Sequence, residues 1–181
     1  MRRIILALAL LQLPISLQAQ GVMDGLSPGT RSQLKKLFAM ATAKDLPTEL
    51  MWKQVAEGQS KGVAEGQILA ETSRMMGQLE AARSALLRVG RKEVPDQDVS
   101  LGACVLSRGA TPEQLETMAG KAAGRRPLAV ALKVVTTLVD QGLPLYHALQ
   151  QVGARLDAGA TDEQLLALKN ELRLGMGRAR N

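Results

Sequence analysis

Four short stretches of this chain follow one pattern: Lys61-Gly62-Val63-Ala64, Arg108-Gly109-Ala110-Thr111, Gln141-Gly142-Leu143-Pro144 and Ala158-Gly159-Ala160-Thr161. Each has Gly, then an apolar residue, then Ala, Pro or Thr. Gly142 and Gly159 are 17 residues apart, and Gly109 and Gly142 are 33 apart, close to twice that. Asp45-Leu46-Pro47-Thr48 begins 17 residues before Gly62 and reads as the same mark without its glycine. A glycine just past a helix end can take the left-handed conformation that closes a Schellman or αL cap, and the apolar residue after it can pack back onto the helix it leaves. Thr then caps, or Pro opens, the next helix. Gly62, Gly109, Gly142 and Gly159 are therefore expected to close helices, and Thr111, Pro144 and Thr161 to start them. Thr111-Pro112-Glu113-Gln114 and Thr161-Asp162-Glu163-Gln164 each read as a capping box, with Thr at the cap and Gln three residues on. The acidic residues in those first turns also suit the helix dipole.

Between the marks the apolar spacing is helical. Leu143, Leu145, Leu149, Val152 and Leu156 recur on one side of their segment, and Leu165, Leu166, Leu168 and Leu172 do so in the next. Val130 to Val139 is denser and rich in β-branched residues, but its place between two helix-type marks predicts a buried central helix. The pattern predicts helices near 28–43, 48–60, 64–88, 97–108, 112–123, 127–141, 144–158 and 161–175. Seventeen residues make one helix and a turn, so two units make a hairpin of about 34 residues, near the tetratricopeptide period. The signature residues of that repeat are absent. The expected fold is all-α: antiparallel helical hairpins stacked as a short α-solenoid or gathered as a compact bundle. The expected division is a leader over 1–19, an amino-terminal helical group over 20–89, a linker over 90–98 containing Pro95, a carboxy-terminal helical-repeat group over 99–175, and a basic tail over 176–181.

The leader is set apart by its own chemistry. Arg2 and Arg3 precede the almost wholly apolar Ile4 to Leu17, and Ala19 offers a small residue for cleavage. That is the layout of a bacterial secretory signal, and the apolar run falls short of the roughly 20 residues of a spanning helix. The expectation is export to the periplasm or beyond, with an uncleaved amino-terminal anchor as the alternative. No second run approaches spanning length, so no transmembrane segment is expected after signal removal. Cys104 is the only cysteine. It reads as a small buried hydrophobe, with an intermolecular disulfide as the sharper alternative in an oxidising compartment. The formal charge is +6. Of 23 basic residues two fall in the leader, leaving 21 against 17 acidic. A nucleic-acid binder would set such an excess among aromatic stacking platforms, whereas Phe38, Trp52 and Tyr146 are the only aromatics. No nucleic-acid partner is expected; attraction to anionic envelope surfaces fits the balance better.

Candidate chemistry is sparse. His147 is the only histidine, too few for the usual metal sites and unpartnered for a triad. The methionines stand dispersed at apolar helical positions, which reads as core filling rather than soft-metal binding. Glu113, Glu116, Asp162 and Glu163 lie in first turns, where capping accounts for them before acid–base work does. No catalytic residue, metal or cofactor is expected. The best constellation is Lys53, Glu57 and Lys61 at i, i+4 and i+8 on one helix face, with Gly58 beside them. It reads either as a surface ladder of ion pairs, each worth a few tenths of a kcal/mol, or as a binding face where Gly58 lets another backbone come close. Val55-Ala-Glu-Gly58-Gln59 recurs identically as Val63-Ala-Glu-Gly66-Gln67.

The stretch Leu46-Pro47-Thr48-Glu49-Leu50, Lys53, Glu57-Gly58, Lys61-Gly62-Val63 and Ile68 resembles a group of uncharacterised exported bacterial helical-repeat proteins. These carry G-L-P-x-x-L, then K-x-x-x-E-G-x-x-K-G-V, then a longer helix. The run Pro127 to Leu172 is similar to them as well, while Asp45 stands where the group tends to have Gly and Ala64 where it tends to have Pro. The group has no assigned activity, so the resemblance implies export and fold only. The function expected from all of this is an exported non-catalytic module that binds a protein or envelope component, with an enzyme of unrecognised type or a small-molecule or lipid carrier as alternatives.

Overall fold

The backbone turns left-handed at each of the marks. In a computed structural model that describes residues 21–91, 93–122 and 126–168, φ is 64° at Gly62, 96° at Gly109, 96° at Gly142 and 73° at Gly159. Each glycine N–H and the N–H after it fold back onto the helix just left. Around Gly142, for example, Gly142 N–H donates to Val139 O at 2.9 Å and Leu143 N–H to Leu138 O at 3.0 Å. Asp45 does the same without being glycine. Its φ is 50°, its N–H donates to Thr42 O at 3.0 Å, and Leu46 N–H donates to Ala41 O at 2.9 Å. An L-residue in this region crowds its Cβ against the carbonyl, at a cost of about 1 kcal/mol. Asp45→Gly is therefore expected to stabilise the fold by about 0.5–1 kcal/mol, read as a raised urea midpoint at unchanged slope. The 3.9 Å contact from Asp45 to Arg83 that it removes is a weak surface pair. A destabilised Asp45→Gly would mean that the aspartate carboxylate matters more than the strain.

The helices fall where the marks place them: α1 Pro28–Ala43, α2 Glu49–Ser60, α3 Glu65–Arg88, α4 Asp96–Ser107, α5 Pro112–Lys121, α6 Ala129–Asp140 and α7 Leu145–Asp157, with a further helix, α8, over 162–168. No strand occurs among the described residues. Both capping boxes form: Thr111 Oγ1 accepts from Gln114 N–H while Gln114 Oε1 accepts from Thr111 N–H, and Thr161 with Gln164 repeats the exchange. Pro144 sits at the cap position of α7 rather than inside its first turn. Glu113 and Glu163 are held below the usual glutamate range, first by their own backbone N–H and then by the capping threonine hydroxyl. A lowered folded value means that each stabilises the fold at neutral pH, and the benefit is lost as acidification passes through that value.

Much of the packing runs from a helix to its next neighbour but one. α1 packs on α3, α3 on α5, α5 on α7, and α4 on α6. The hairpins α2/α3, α4/α5 and α6/α7 close between. Polar pairs between these alternate helices join starts to starts and ends to ends, so alternate helices run parallel. Glu65, opening α3, takes the Ser27 N–H at 2.8 Å and the Ser27 and Thr30 hydroxyls at the start of α1. The Ser27 and Thr30 hydroxyls, followed by the Ser27 N–H, hold Glu65 below the usual range. Lys44, just past the end of α1, meets Glu80 sixteen residues into the longer α3, and at the helix ends Arg108 meets Asp140 and Lys121 meets Asp157. This is the stacked-hairpin arrangement expected of the repeat. The core is aliphatic, with Leu34, Met51, Leu79, Leu86, Leu115, Leu132 and Leu138 fully buried. Phe38 and Trp52 stack at 3.9 Å between α1 and α2.

Several expectations need amending. The Val130–Val139 helix is buried as predicted, with Leu132, Val134, Val135 and Leu138 inside, but the hub is α3, which touches α1, α2, α4 and α5. Its length lets it cover four neighbours. Within the expected linker over 90–98, α4 already starts at Asp96, Arg91 and Asp98 are buried, and α3 and α4 pack on each other. Cys104 is half-buried rather than enclosed. Met23, Met51, Met76 and Met118 fill the core, but Met40 is 48% exposed. The leader over 1–19, the tail over 176–181 and the predicted helix beyond 168 lie outside the described residues. Among those described, no helix is long and apolar enough to cross a membrane.

Candidate functional site

On α2, Lys53, Glu57 and Lys61 form the predicted ladder. Lys53 Nζ and Lys61 Nζ lie 3.8 and 3.7 Å from the two Glu57 carboxylate oxygens, with the lysine side chains 70% and 69% exposed. Such pairs are solvated and contribute a few tenths of a kcal/mol each. Gly58 has turned the other way. It is buried, and a Cβ placed on it would stand 2.7 Å from Ile68 Cγ1. The missing side chain therefore makes room for α3 of the same chain, not for a partner at the surface. Beside the ladder is a small hollow of about 140 Å³, with Glu57, Gly58, Lys61, Val63 and Ile68 in its wall. Glu57→Lys is expected to cost well under 1 kcal/mol in a urea melt. A larger loss would reveal a structural network in place of a solvated ladder.

The other residues weighed for chemistry are engaged locally. Glu116 pairs with Arg88 across to α3, Asp162 pairs with Arg126, and Glu113 and Glu163 serve their own helix starts. His147 is exposed in the first turn of α7, its ring edge-on to Tyr146 at 5.5 Å between centroids. Among the described residues, no group of three or more His, Cys, Asp or Glu side chains is placed to hold a metal ion.

Two larger concavities remain. One, of about 650 Å³, lies between the Thr42–Thr48 turn, Arg83 and Leu87 of α3, and Glu93 to Asp96. Its rim is polar and its acidic groups face water. The other, of about 360 Å³, lies along the parallel pair α5 and α7. α5 lines it with Gln114, Thr117, Met118 and Lys121, and α7 with Tyr146, Leu149, Gln150, Gly153, Ala154 and Asp157. Those positions recur every three or four residues, so each set is one helix face. Met118, Leu149 and Gly153 make an apolar floor. Lys121 lays its stem against Gly153, where a Cβ would come within 3.3 Å of Lys121 Cδ, and ends the groove in its pair with Asp157. Tyr146 stands 64% exposed at the other end.

The groove joins an apolar floor to side-chain amides and hydroxyls that can donate and accept along a polypeptide, and to a large aromatic that a partner can cover. Those are the ingredients of a contact centre. The sequence singled out Tyr146 only as one of three aromatics. The signal was present in the Tyr146, Gln150, Gly153 and Asp157 stripe, but it acquires meaning only once α5 is known to lie beside it. No family model, curated protein or solved structure matches this chain.

Proposed function

We propose that the protein is an exported, non-catalytic helical-repeat module that binds another protein or an envelope component along the groove between α5 and α7. The observation that carries this reading is Tyr146, a 64% exposed ring over an apolar floor between two parallel helices of adjacent hairpins. An aromatic left in water beside an apolar floor is what a binding surface offers and what a closed core avoids. Stacked hairpins suit the role, because repeated helices build an extended surface without a dedicated pocket. Export rests on the Arg2-Arg3 and Ile4–Leu17 leader and on the likeness to exported proteins in Leu46 to Ile68.

Affinity capture from envelope extracts, comparing wild type with a Tyr146→Ala, Gln150→Ala double variant, tests both parts. Both side chains are exposed, so the melt should stay within about 0.5 kcal/mol of wild type. The captured partner should fall by tenfold or more. A double variant that retains every partner removes the groove from consideration. Intact mass of the protein from the envelope fraction should show a chain starting near Gln20, and full-length protein in the cytosol would overturn the export reading.

A further inference from the structure

Charge is unevenly matched over the described residues. From Leu26 to Lys44 the chain carries Arg31, Lys35, Lys36 and Lys44 and no acidic residue. Lys44 is neutralised by Glu80 of α3, and Arg31 adds its charge to the surroundings of Glu65. Lys35 and Lys36 are exposed and have no acidic side chain within 4 Å among the described residues. α1 packs inward through Leu34, Phe38 and Ala41. Helical spacing puts Ser32, Lys36, Ala39, Met40 and Ala43 on the opposite face, with Lys35 at its flank, and all six are exposed.

The pairs between alternate helices have a polarity that bears on what can cover this face. In Lys44–Glu80, Arg88–Glu116, Arg108–Asp140, Lys121–Asp157 and Arg126–Asp162 the cation comes from the earlier element and the anion from the later. The 3.9 Å contact of Asp45 with Arg83, among the described residues, runs the other way. Each hairpin thus presents cations toward the one that follows it. A second copy stacking onto α1 in the same sense would bring cations against Lys35 and Lys36, and like charges oppose that contact. The complementary partner is anionic. Met40, 48% exposed and one turn from Lys36, adds apolar surface beside the charge, as on helices that lie in a lipid headgroup layer. A nucleic acid would call for stacking rings on this face, but Phe38 and Trp52 are stacked on each other and Tyr146 lies on α7.

We propose that the solvent face of α1, centred on Lys35, Lys36 and Met40, rests on an anionic lipid surface. Each lysine near such a surface strengthens attachment by about fivefold at moderate salt, and the attraction weakens as salt shortens the Debye length. The contact would hold the module at an envelope membrane while leaving the α5/α7 groove to its own partner, so the two readings stand or fall separately.

Co-sedimentation with vesicles of phosphatidylcholine, with and without phosphatidylglycerol, provides the test, using the same processed form of the chain throughout. Wild type should bind the anionic vesicles, bind neutral ones at least tenfold more weakly, and lose the difference at high salt. A Lys35→Glu, Lys36→Glu double variant should lose more than about tenfold of the anionic binding with an unchanged melt. Lys133→Glu, which alters an exposed cation on α6, should keep it, and so should Tyr146→Ala. Equal binding to neutral vesicles, or a double variant that binds as wild type does, overturns the proposal. So does binding to an acidic peptide such as polyglutamate without binding to anionic vesicles, which would assign the face to a protein.

Discussion

Asp98→Ala is expected to destabilise the protein by about 3–5 kcal/mol, the cost of leaving one partner of a buried ion pair alone. Asp98 is fully buried in the first turn of α4. Both of its carboxylate oxygens accept from the Leu128 N–H that opens α6, at 3.0 and 2.9 Å, and Oδ2 also accepts from Arg91 Nη1 at 3.0 Å. Arg91, 9% exposed, donates from Nη2 to Arg126 O at 2.9 Å. One carboxylate thus ties the turn after α3 to the start of α4 and the start of α6. Alanine would strand a buried guanidinium, whose Nε already lacks a hydrogen-bond partner, and would leave the Leu128 N–H unsatisfied as well. Asp98→Asn keeps an acceptor for Leu128 but loses the charge, so its cost should fall between wild type and alanine. In Arg91→Met, Asp98→Asn the uncompensated charge is gone, and the double variant should recover part of the loss. Urea melts of the four proteins give the result. A loss below 1 kcal/mol for Asp98→Ala would mean that water reaches the site and that the pair is not a structural tie.

Gly58→Ala should cost about 1–3 kcal/mol, although alanine is the better helix former. The new Cβ would fall 2.7 Å from Ile68 Cγ1 and 3.1 Å from Ile68 Cδ1, and Ile68, 2% exposed, is hemmed in by the core. Overpacking of this kind is relieved only by moving side chains or backbone. The cycle with Ile68→Ala separates this from an effect on a partner. Ile68→Ala alone should cost about 2–5 kcal/mol through lost burial and a cavity. The double variant should lie close to Ile68→Ala alone, because the methyl added at position 58 then enters vacated space. Additive losses would place the role of Gly58 elsewhere. Gly66→Ala is the built-in control. Nothing lies within 4 Å of a Cβ there, so it should be neutral or stabilising by up to about 1 kcal/mol.

The helix boundaries were legible in the sequence because their causes are local. A left-handed residue, the apolar residue after it and a capping Thr act within six residues of one another, so Gly62, Gly109, Gly142, Gly159, Thr111 and Thr161 could each be read without knowing what lay beside them. Even the glycine-less mark at Asp45 kept the geometry, because its backbone hydrogen bonds offset the strain. The candidate site was legible only in part. The Lys53, Glu57 and Lys61 ladder is a one-helix feature and formed as spaced. The groove needs two faces about 30 residues apart, and neither face is distinctive alone.

The repeated pentapeptide shows where local information ends. Val55-Ala-Glu-Gly58-Gln59 closes α2, and Val63-Ala-Glu-Gly66-Gln67 opens α3. In the first copy the glutamate pairs with two lysines at the surface and the glycine is pressed against Ile68. In the second the glutamate caps the start of α1 from 38 residues away, and the glycine faces open space. The same contrast separates Asp98, buried between three elements, from the acidic residues that merely decorate first turns. The chain by itself determined where its helices start and stop, since caps and turns are satisfied by near neighbours. Which helices met, which carboxylate gained a distant partner and which glycine was indispensable were decided by the stacking of hairpins, since those groups are completed by residues on neighbouring helices.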